Sequence, residues 1–231
     1  MNDLASLVKR LVPSAIKVSI KEHLRKRHFA RVLASFRQLQ RDQVPSKQLL
    51  EELVIAWGNE GYSAQHEYLL ELIRTSRQID GPILECGSGL STMLVGVEAQ
   101  RQALSHYALE NHPGWVRRMR RELTAAGITS VVVCETPLRN YGNYTWYDVS
   151  QTNLPTDFAM AICDGPPGDN PESRYGLIPV LRDRLKPGCL VVVDDFERMG
   201  EQTIAYRWAK ETGASITRHG TEKPFAVLRM P

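Results

Sequence analysis

The sequence predicts an α/β domain on a mostly parallel sheet with helices on both faces, preceded by a helical extension. Three observations carry that expectation. From residue 82 onward, short apolar runs alternate with longer segments of helical periodicity. The first run ends in a glycine-rich turn, Gly87-Ser88-Gly89, that leads straight into a helix. The later runs are followed by acidic residues, Glu110, Glu135, Asp164 and Asp194, placed where open α/β sheets bind ligands.

The elements follow in order. Residues 1–41 read as helix, with Leu4, Leu7, Val8 and Leu11, then Phe29, Val32, Leu33 and Phe36, at helical spacing and Pro13 dividing the segment. Pro45 and Ser46 open a helix to about Trp57, broken by Gly58, Asn59 and Gly61. Ser63 is a capping residue for a helix to about Ser76, with Glu67 in its first turns. Strands are expected at Ile83–Cys86, His106–Leu109, Val131–Cys134, Phe158–Cys163 and Leu190–Val193. Helices are expected at Ser91–Ala99, Pro113–Ala126, Arg174–Leu185 and Gln202–Glu211. Proline at the first turn of the second of these is a start signal. Ser215–Arg218 and Ala226–Leu228 are close enough to form an antiparallel pair at one edge. Residues 137–157, rich in aromatic residues, Asn and Gly, read as an ordered insertion or a substrate-facing loop.

Composition bounds the function. Of the 231 residues 42% are hydrophobic, mean hydropathy is −0.30, and no run reaches the ~18 apolar residues of a membrane span. The N-terminus has no apolar core and small-residue cleavage site of a secretory signal, so the expected location is the cytoplasm. Cys86, Cys134, Cys163 and Cys189 form no C-x-x-C pair and lie in or beside apolar runs, which reads as core thiols. The net charge of +3 is unevenly spread: residues 1–41 hold ten basic and two acidic residues, a local +8. Such a basic amphipathic segment suits a docked helix with a solvated face, peripheral contact with an anionic membrane at its inner face, or an acidic partner. Self-association into a homo-oligomer is left open by the sequence.

The glycine turn narrows the ligand. A dinucleotide fingerprint would place glycine at position 92, where the chain has Thr92. Instead Glu85 stands two residues before Gly87, suited to an ammonium group, and Glu110 closes the second strand, suited to the two hydroxyls of a ribose. Residues 82–231 resemble the class I methyltransferases, whose first motif is E/D-x-G-x-G and whose second strand ends in an acid. The resemblance implies a Rossmann-like seven-stranded sheet of order 3-2-1-4-5-7-6 with strand 7 antiparallel, and S-adenosylmethionine as cofactor. Residues 1–44 would then be a basic helical extension, and residues 45–231 the methyltransferase domain, with helices in 45–78, including Trp57 and Tyr62, covering the cofactor. Glu85, Gly87, Ser88, Gly89 and Ser91 would line its methionine part. Glu110 would bind the ribose, Asn111, Glu135 and Thr136 would approach the adenine, and Asp164 would face the reacting centre.

Asp164, Asp194 and Asp195 close the fourth and fifth strands and should meet at the same edge. Three neighbouring carboxylates repel unless a proton or cation intervenes, and carboxylate oxygens suit Mg²⁺, Ca²⁺ or Mn²⁺. The pattern Asp, then Asp-Asp, resembles the metal-dependent small-molecule and sugar O-methyltransferases, implying divalent-metal-assisted transfer to a hydroxyl oxygen of a small molecule or glycan. Pro166 departs from the D-G-D of the sugar enzymes, which leaves the base unassigned among His66, Asp169 and Tyr175. The aspartates also have plainer readings: Asp164 facing the cofactor, and Asp194 and Asp195 capping the next helix or pairing with Arg174 or Arg198. Asp164-Gly165-Pro166-Pro167 departs from the (D/N/S)-P-P-aromatic motif of amino-group methyltransferases, which disfavours nucleic acid as acceptor. Arg139, Tyr141, Trp146 and Tyr147 are candidates for an aromatic acceptor wall. Two alternatives stay open: a metal-independent methyltransferase acting on a carboxylate or amine, and a non-catalytic sensor that binds the cofactor.

Overall fold

The computed structural model describes residues 14–58, 64–167 and 172–231. The expectations at Leu4, Leu7, Val8, Leu11, Pro13, Asn59, Gly61, Tyr62, Ser63, Gly168 and Asp169 lie outside the described residues. The chain divides into two compact units, Met1–Tyr62 and Ser63–Pro231.

In the first unit, α1 (Ser14–Gln38) packs on α2 (Lys47–Trp57). The predicted apolar stripe is the buried one: Phe29, Val32, Leu33 and Phe36 from α1 with Leu50, Leu53 and Trp57 from α2. The Phe29 and Trp57 rings are 5.1 Å apart. Ser46 caps α2, its Oγ accepting from the Leu49 N–H at 3.2 Å, and Gly58 ends it at φ +74°, a conformation that favours glycine. The Arg25 guanidinium closes the same end by donating to the carbonyls of Ala56 and Trp57.

The second unit opens with α3 (His66–Ser76) and then alternates: β1 (Ile83–Cys86), α4 (Leu90–Arg101), β2 (His106–Glu110), α5 (Pro113–Ala125), β3 (Val131–Glu135). A short ribbon, β4 (Leu138–Asn140) and β5 (Thr145–Tyr147), is followed by β6 (Phe158–Cys163), α6 (Leu177–Leu181), β7 (Leu185–Val193), α7 (Met199–Thr212), β8 (Ser215–His219) and β9 (Phe225–Arg229). Seven strands form one sheet in the order β3-β2-β1-β6-β7-β9-β8. Counted within that sheet, this is the expected 3-2-1-4-5-7-6. β9 runs antiparallel to both neighbours and the other pairs are parallel. Every residue of β1 and β6 is buried, as central parallel strands covered on both faces require. Cys86, Cys163 and Cys189 are buried and all four cysteines are unpaired thiols.

One expected element is overridden by tertiary contacts. The helix expected at Arg174–Leu185 is reduced to α6 and one 3₁₀ turn, Arg182–Arg184. Gly176 presses on the Trp146 ring so closely that a Cβ there would lie 2.3 Å away, which holds the preceding residues in a turn. Leu185 pairs with Phe158, so β7 begins five residues earlier than the apolar run Leu190–Val193 suggests. Within residues 137–157 the aromatic content builds the β4–β5 ribbon, and its Trp146 and Tyr147 are fully buried.

Candidate functional site

Strand register assembles the site. Cys86 of β1 is level with Leu109 of β2 and with Cys163 of β6, and Cys163 is level with Val193 of β7. The next residue of each strand, Gly87, Glu110, Asp164 and Asp194, therefore lies along one carboxyl-terminal edge. Backbone hydrogen bonds lock that line: Gly87 N–H to the Leu109 carbonyl at 3.0 Å, Asp164 N–H to that of Cys86 at 3.1 Å, Asp194 N–H to that of Cys163 at 3.2 Å, and Thr136 N–H to that of Glu110 at 2.9 Å.

The two glycines of the first turn do different work. Gly87 has φ +88°, and a Cβ on it would sit 3.2 Å from the Asp164 carbonyl oxygen. Gly89 is extended, with nothing within 4 Å of a built Cβ, so the backbone there can be approached from outside. Gly165 closes from the other side: a Cβ on it would lie 2.6 Å from the Tyr147 hydroxyl and 2.9 Å from the Gly87 Cα. That contact is why a glycine separates Asp164 from Pro166-Pro167. The Gly165–Pro166 peptide is cis.

Glu110 is 7% exposed, and its carboxylate accepts from the Ser88 hydroxyl at 2.8 Å and from the His112 N–H at 2.9 Å. Trp115 Nε1–H donates to the Ser88 carbonyl at 2.7 Å, tying α5 to the glycine turn. Glu85 is engaged inside the protein: Ser91 Oγ donates to Oε1 at 2.6 Å, and His106 Nε2 is 2.9 Å from Oε2. Both Glu85 and His106 are buried, so this pair joins β1, the start of α4 and the start of β2 beneath the turn. Thr136 is buried beside Glu110, and Glu135 is exposed.

Beyond the fourth and fifth strands, Asp164, Asp194 and Asp195 each bring a carboxylate oxygen within 4.8 Å of the others. The protein's own cations lie among them. Arg174, 5% exposed, reaches Asp195 Oδ2 at 2.7 Å, Asp164 Oδ1 at 3.4 Å and the Asp194 carbonyl at 3.3 Å. Lys223 Nζ is 2.5 Å from Asp195 Oδ1 and 3.1 Å from Asp194 Oδ2, and Arg198 lies 2.9 Å from Asp195 Oδ2. Asp195 holds φ +57°, a strained conformation kept by these three partners.

The ionisation follows from that arrangement. Burial, reinforced by Asp194, pushes the Asp164 carboxyl well above the usual carboxylate range. Burial also raises Asp194, against the pull of Lys223. Asp195 is desolvated too, but the Lys223 and Arg174 hydrogen bonds and charges outweigh burial and hold it below its ordinary value. A divalent ion would need these oxygens at about 2.0–2.6 Å. Four carboxylate oxygens of the cluster already face a guanidinium or ammonium nitrogen, so the three aspartates as they stand do not fit a metal ion. The pairing of Asp195 with Arg174 and Arg198 is one of the plainer readings the sequence allowed.

A different set of polar atoms is left unpartnered. Asn111 Oδ1, Tyr147 OH, Tyr68 OH and Asp194 Oδ1 are buried with no hydrogen-bond partner among the described residues. Buried polar groups are satisfied as a rule, and these belong to residues at or beside the strand-end line. Residues 84–196 match a family model described as a methyltransferase domain. The fold is that of the class I methyltransferases. Among solved structures, a provisionally assigned O-methyltransferase of Klebsiella pneumoniae is 18% identical, covering 98% of this chain and 94% of its own, with a TM-score of 0.51. A provisionally assigned caffeoyl-CoA O-methyltransferase of Staphylococcus aureus is 13% identical over 81% of this chain and 93% of its own, TM-score 0.58. An O-methyltransferase of Bacillus cereus, solved in complex with SAH, is 15% identical over 82% of this chain and 94% of its own, TM-score 0.57. At these identities the likeness establishes the fold. No curated protein matches the sequence significantly.

The structure adds residues that pattern alone passed over. Lys223 sits 28 positions after Asp195 on a β8–β9 turn, with no motif to mark it. Tyr68 reads as one more apolar position of α3, and His106 as a lone histidine. Only the fold brings them to the acids. Tyr175 is less suited to be the base: its hydroxyl donates to Glu211 at 2.9 Å, and burial and that carboxylate raise its pKa. His66 is the first residue of α3. Tyr141 stacks on Tyr144 at 5.3 Å, and Tyr144 meets the Tyr175 edge at 5.2 Å, an aromatic cluster continuous with buried Trp146 and Tyr147. Trp57 belongs to the first unit.

Proposed function

We propose that this protein transfers a methyl group from S-adenosylmethionine to a hydroxyl oxygen of a small molecule or glycan. The observation that carries the reading is the strand-end line itself: an open Gly89, a Glu110 carboxylate fixed by Ser88 and His112, and the unpartnered buried Asn111 Oδ1 and Tyr147 OH. The cofactor, when bound, supplies an electrophilic methyl on a sulfonium. Glu110 would accept from ribose hydroxyls, each of its oxygens having a second lone pair for the purpose. Gly87-Ser88-Gly89 would admit the methionine part, with Ser91 and Glu85 holding the turn from below. Asn111 and Thr136 would meet the adenine, with Glu135 at its exposed rim.

Asp164 would take the proton that the acceptor hydroxyl gives up, and its raised affinity for a proton suits that role near neutral pH. No step runs through a metal ion, because Arg174 and Lys223 already neutralise the carboxylates. Neighbours of the same fold with SAH bound, including one from Podospora anserina, support the cofactor assignment.

Calorimetric titration of S-adenosylhomocysteine tests the reading. Glu110→Gln should weaken binding roughly 10–100-fold, the worth of a hydrogen bond to a charged acceptor, about 1.5–3 kcal/mol. Absence of binding to the wild-type protein would remove the assignment.

The basic extension supports a peripheral contact with an anionic membrane. Ile16, Ile20 and Leu24 recur every four residues on α1 and are 49%, 51% and 58% exposed, with Lys21, Arg27 and Arg31 exposed nearby. No helix among the described residues is long and apolar enough to cross a membrane.

A further inference from the structure

The β8–β9 turn is built to hold one side chain in place. Gly220 has φ +82°, and a Cβ there would lie 2.5 Å from the Lys223 carbonyl oxygen. Glu67 of α3 grips the turn from outside, accepting from the Thr221 N–H at 2.8 Å, the Thr221 hydroxyl at 2.9 Å and the Glu222 N–H at 3.1 Å. The Phe196 N–H donates to the Pro224 carbonyl at 2.9 Å, fixing the other side. Between these anchors Lys223 reaches the aspartates at oxygens other than those that Arg174 holds. Its Nζ bridges Asp194 Oδ2 and Asp195 Oδ1, and Arg174 bridges Asp164 Oδ1 and Asp195 Oδ2.

We propose that Lys223 holds the cation position of the three-aspartate cluster, so that the protein excludes divalent metal there and offers the acceptor a single ammonium donor. The inference rests on the proposed function for its acceptor, but the exclusion of metal stands on the cluster alone. A divalent ion coordinated by Asp194 Oδ2 and Asp195 Oδ1 would have to lie where Nζ lies, and a doubly charged ion cannot share that space with an ammonium. Two of the three N–H donors of Lys223 point at these carboxylates. The third is a donor for an acceptor oxygen, which it orients and makes easier to deprotonate. A metal holds two acceptor oxygens by chelation, whereas one ammonium holds one. The acceptor class is therefore a compound with a single reacting hydroxyl, with no second oxygen required beside it.

Mn²⁺ titration, followed by electron paramagnetic resonance of the unbound ion, tests this in the full chain. Wild type and Lys223→Arg should bind no Mn²⁺ at the cluster. Lys223→Ala should gain a site at least about tenfold stronger than any in wild type, because removing the ammonium frees Asp194 Oδ2 and Asp195 Oδ1 for a cation. That gained site should vanish in Lys223→Ala/Asp194→Asn. One Mn²⁺ bound by wild type and lost in Asp194→Asn would overturn the proposal. So would a Lys223→Ala that binds S-adenosylhomocysteine normally yet gains no metal, or a Lys223→Arg that gains it equally. S-adenosylhomocysteine titrated into the same samples reads the cofactor edge separately. Its failure in wild type would strike the proposed function and leave the metal result standing.

Discussion

Replacing Arg174 by methionine removes the central cation of a buried cluster and leaves its side-chain volume largely filled. At an effective dielectric constant near 20, a unit-charge pair at the 2.7 Å of Arg174–Asp195 is worth about 6 kcal/mol and one at the 3.4 Å of Arg174–Asp164 about 5 kcal/mol. Burying the guanidinium offsets several kcal/mol of that gain, so the net loss expected is about 3–5 kcal/mol, the usual cost of leaving buried charge unpaired. Urea unfolding followed by tryptophan fluorescence reads it from the shift in midpoint. The pH dependence carries the sharper test. Asp195 is held below its ordinary value, so its contribution is complete above about pH 4 and is lost as pH falls through the lowered folded value. Asp164 and Asp194 are raised, so their ionisation costs stability as pH rises through their folded values, and losing Arg174 increases that cost. The deficit of the variant should be largest at neutral to alkaline pH and shrink on acidification. A deficit under about 1 kcal/mol, the worth of an exposed pair, would refute the reasoning. A deficit that stays the same from neutral to mildly acidic pH would refute it as well.

Other outcomes follow from the same geometry. Gly87→Ala should lower stability by about 1–2 kcal/mol, from the left-handed backbone and the crowding against the Asp164 carbonyl, and should weaken S-adenosylhomocysteine binding in calorimetry. Tyr147→Phe removes a buried hydroxyl that has no protein partner, so thermal unfolding should show unchanged or slightly higher stability while S-adenosylhomocysteine affinity falls severalfold. Equal affinity would detach that hydroxyl from the ligand edge. On phosphatidylserine vesicles, flotation of the full chain should weaken more than tenfold when Lys21, Arg27 and Arg31 become Glu, each basic residue at such a surface being worth about 1 kcal/mol. Unchanged flotation would count against membrane contact through α1.

What the sequence determined by itself was the order of elements and the acids of the sheet edge. Alternation of short apolar runs with helical segments is a local signal, and parallel strands place the residue after each run at a common edge. Gly87, Glu110, Asp164 and Asp194 are therefore readable as one line in the sequence itself. The sheet order came from the resemblance, and the structure agrees with it. Local pattern misled at Arg174–Leu185, where the Gly176–Trp146 contact and the pairing of Leu185 with Phe158 outweighed helical periodicity. The electrostatic partners were beyond the reach of pattern. Spacing shows that three carboxylates converge, and convergence calls for a proton or a cation, but it does not say which. Lys223 and Glu67 come from distant elements, and only tertiary packing brings an ammonium within 3.1 Å of two of the acids. A cluster that reads as a metal centre along the chain is, in three dimensions, balanced by the protein's own lysine and arginine.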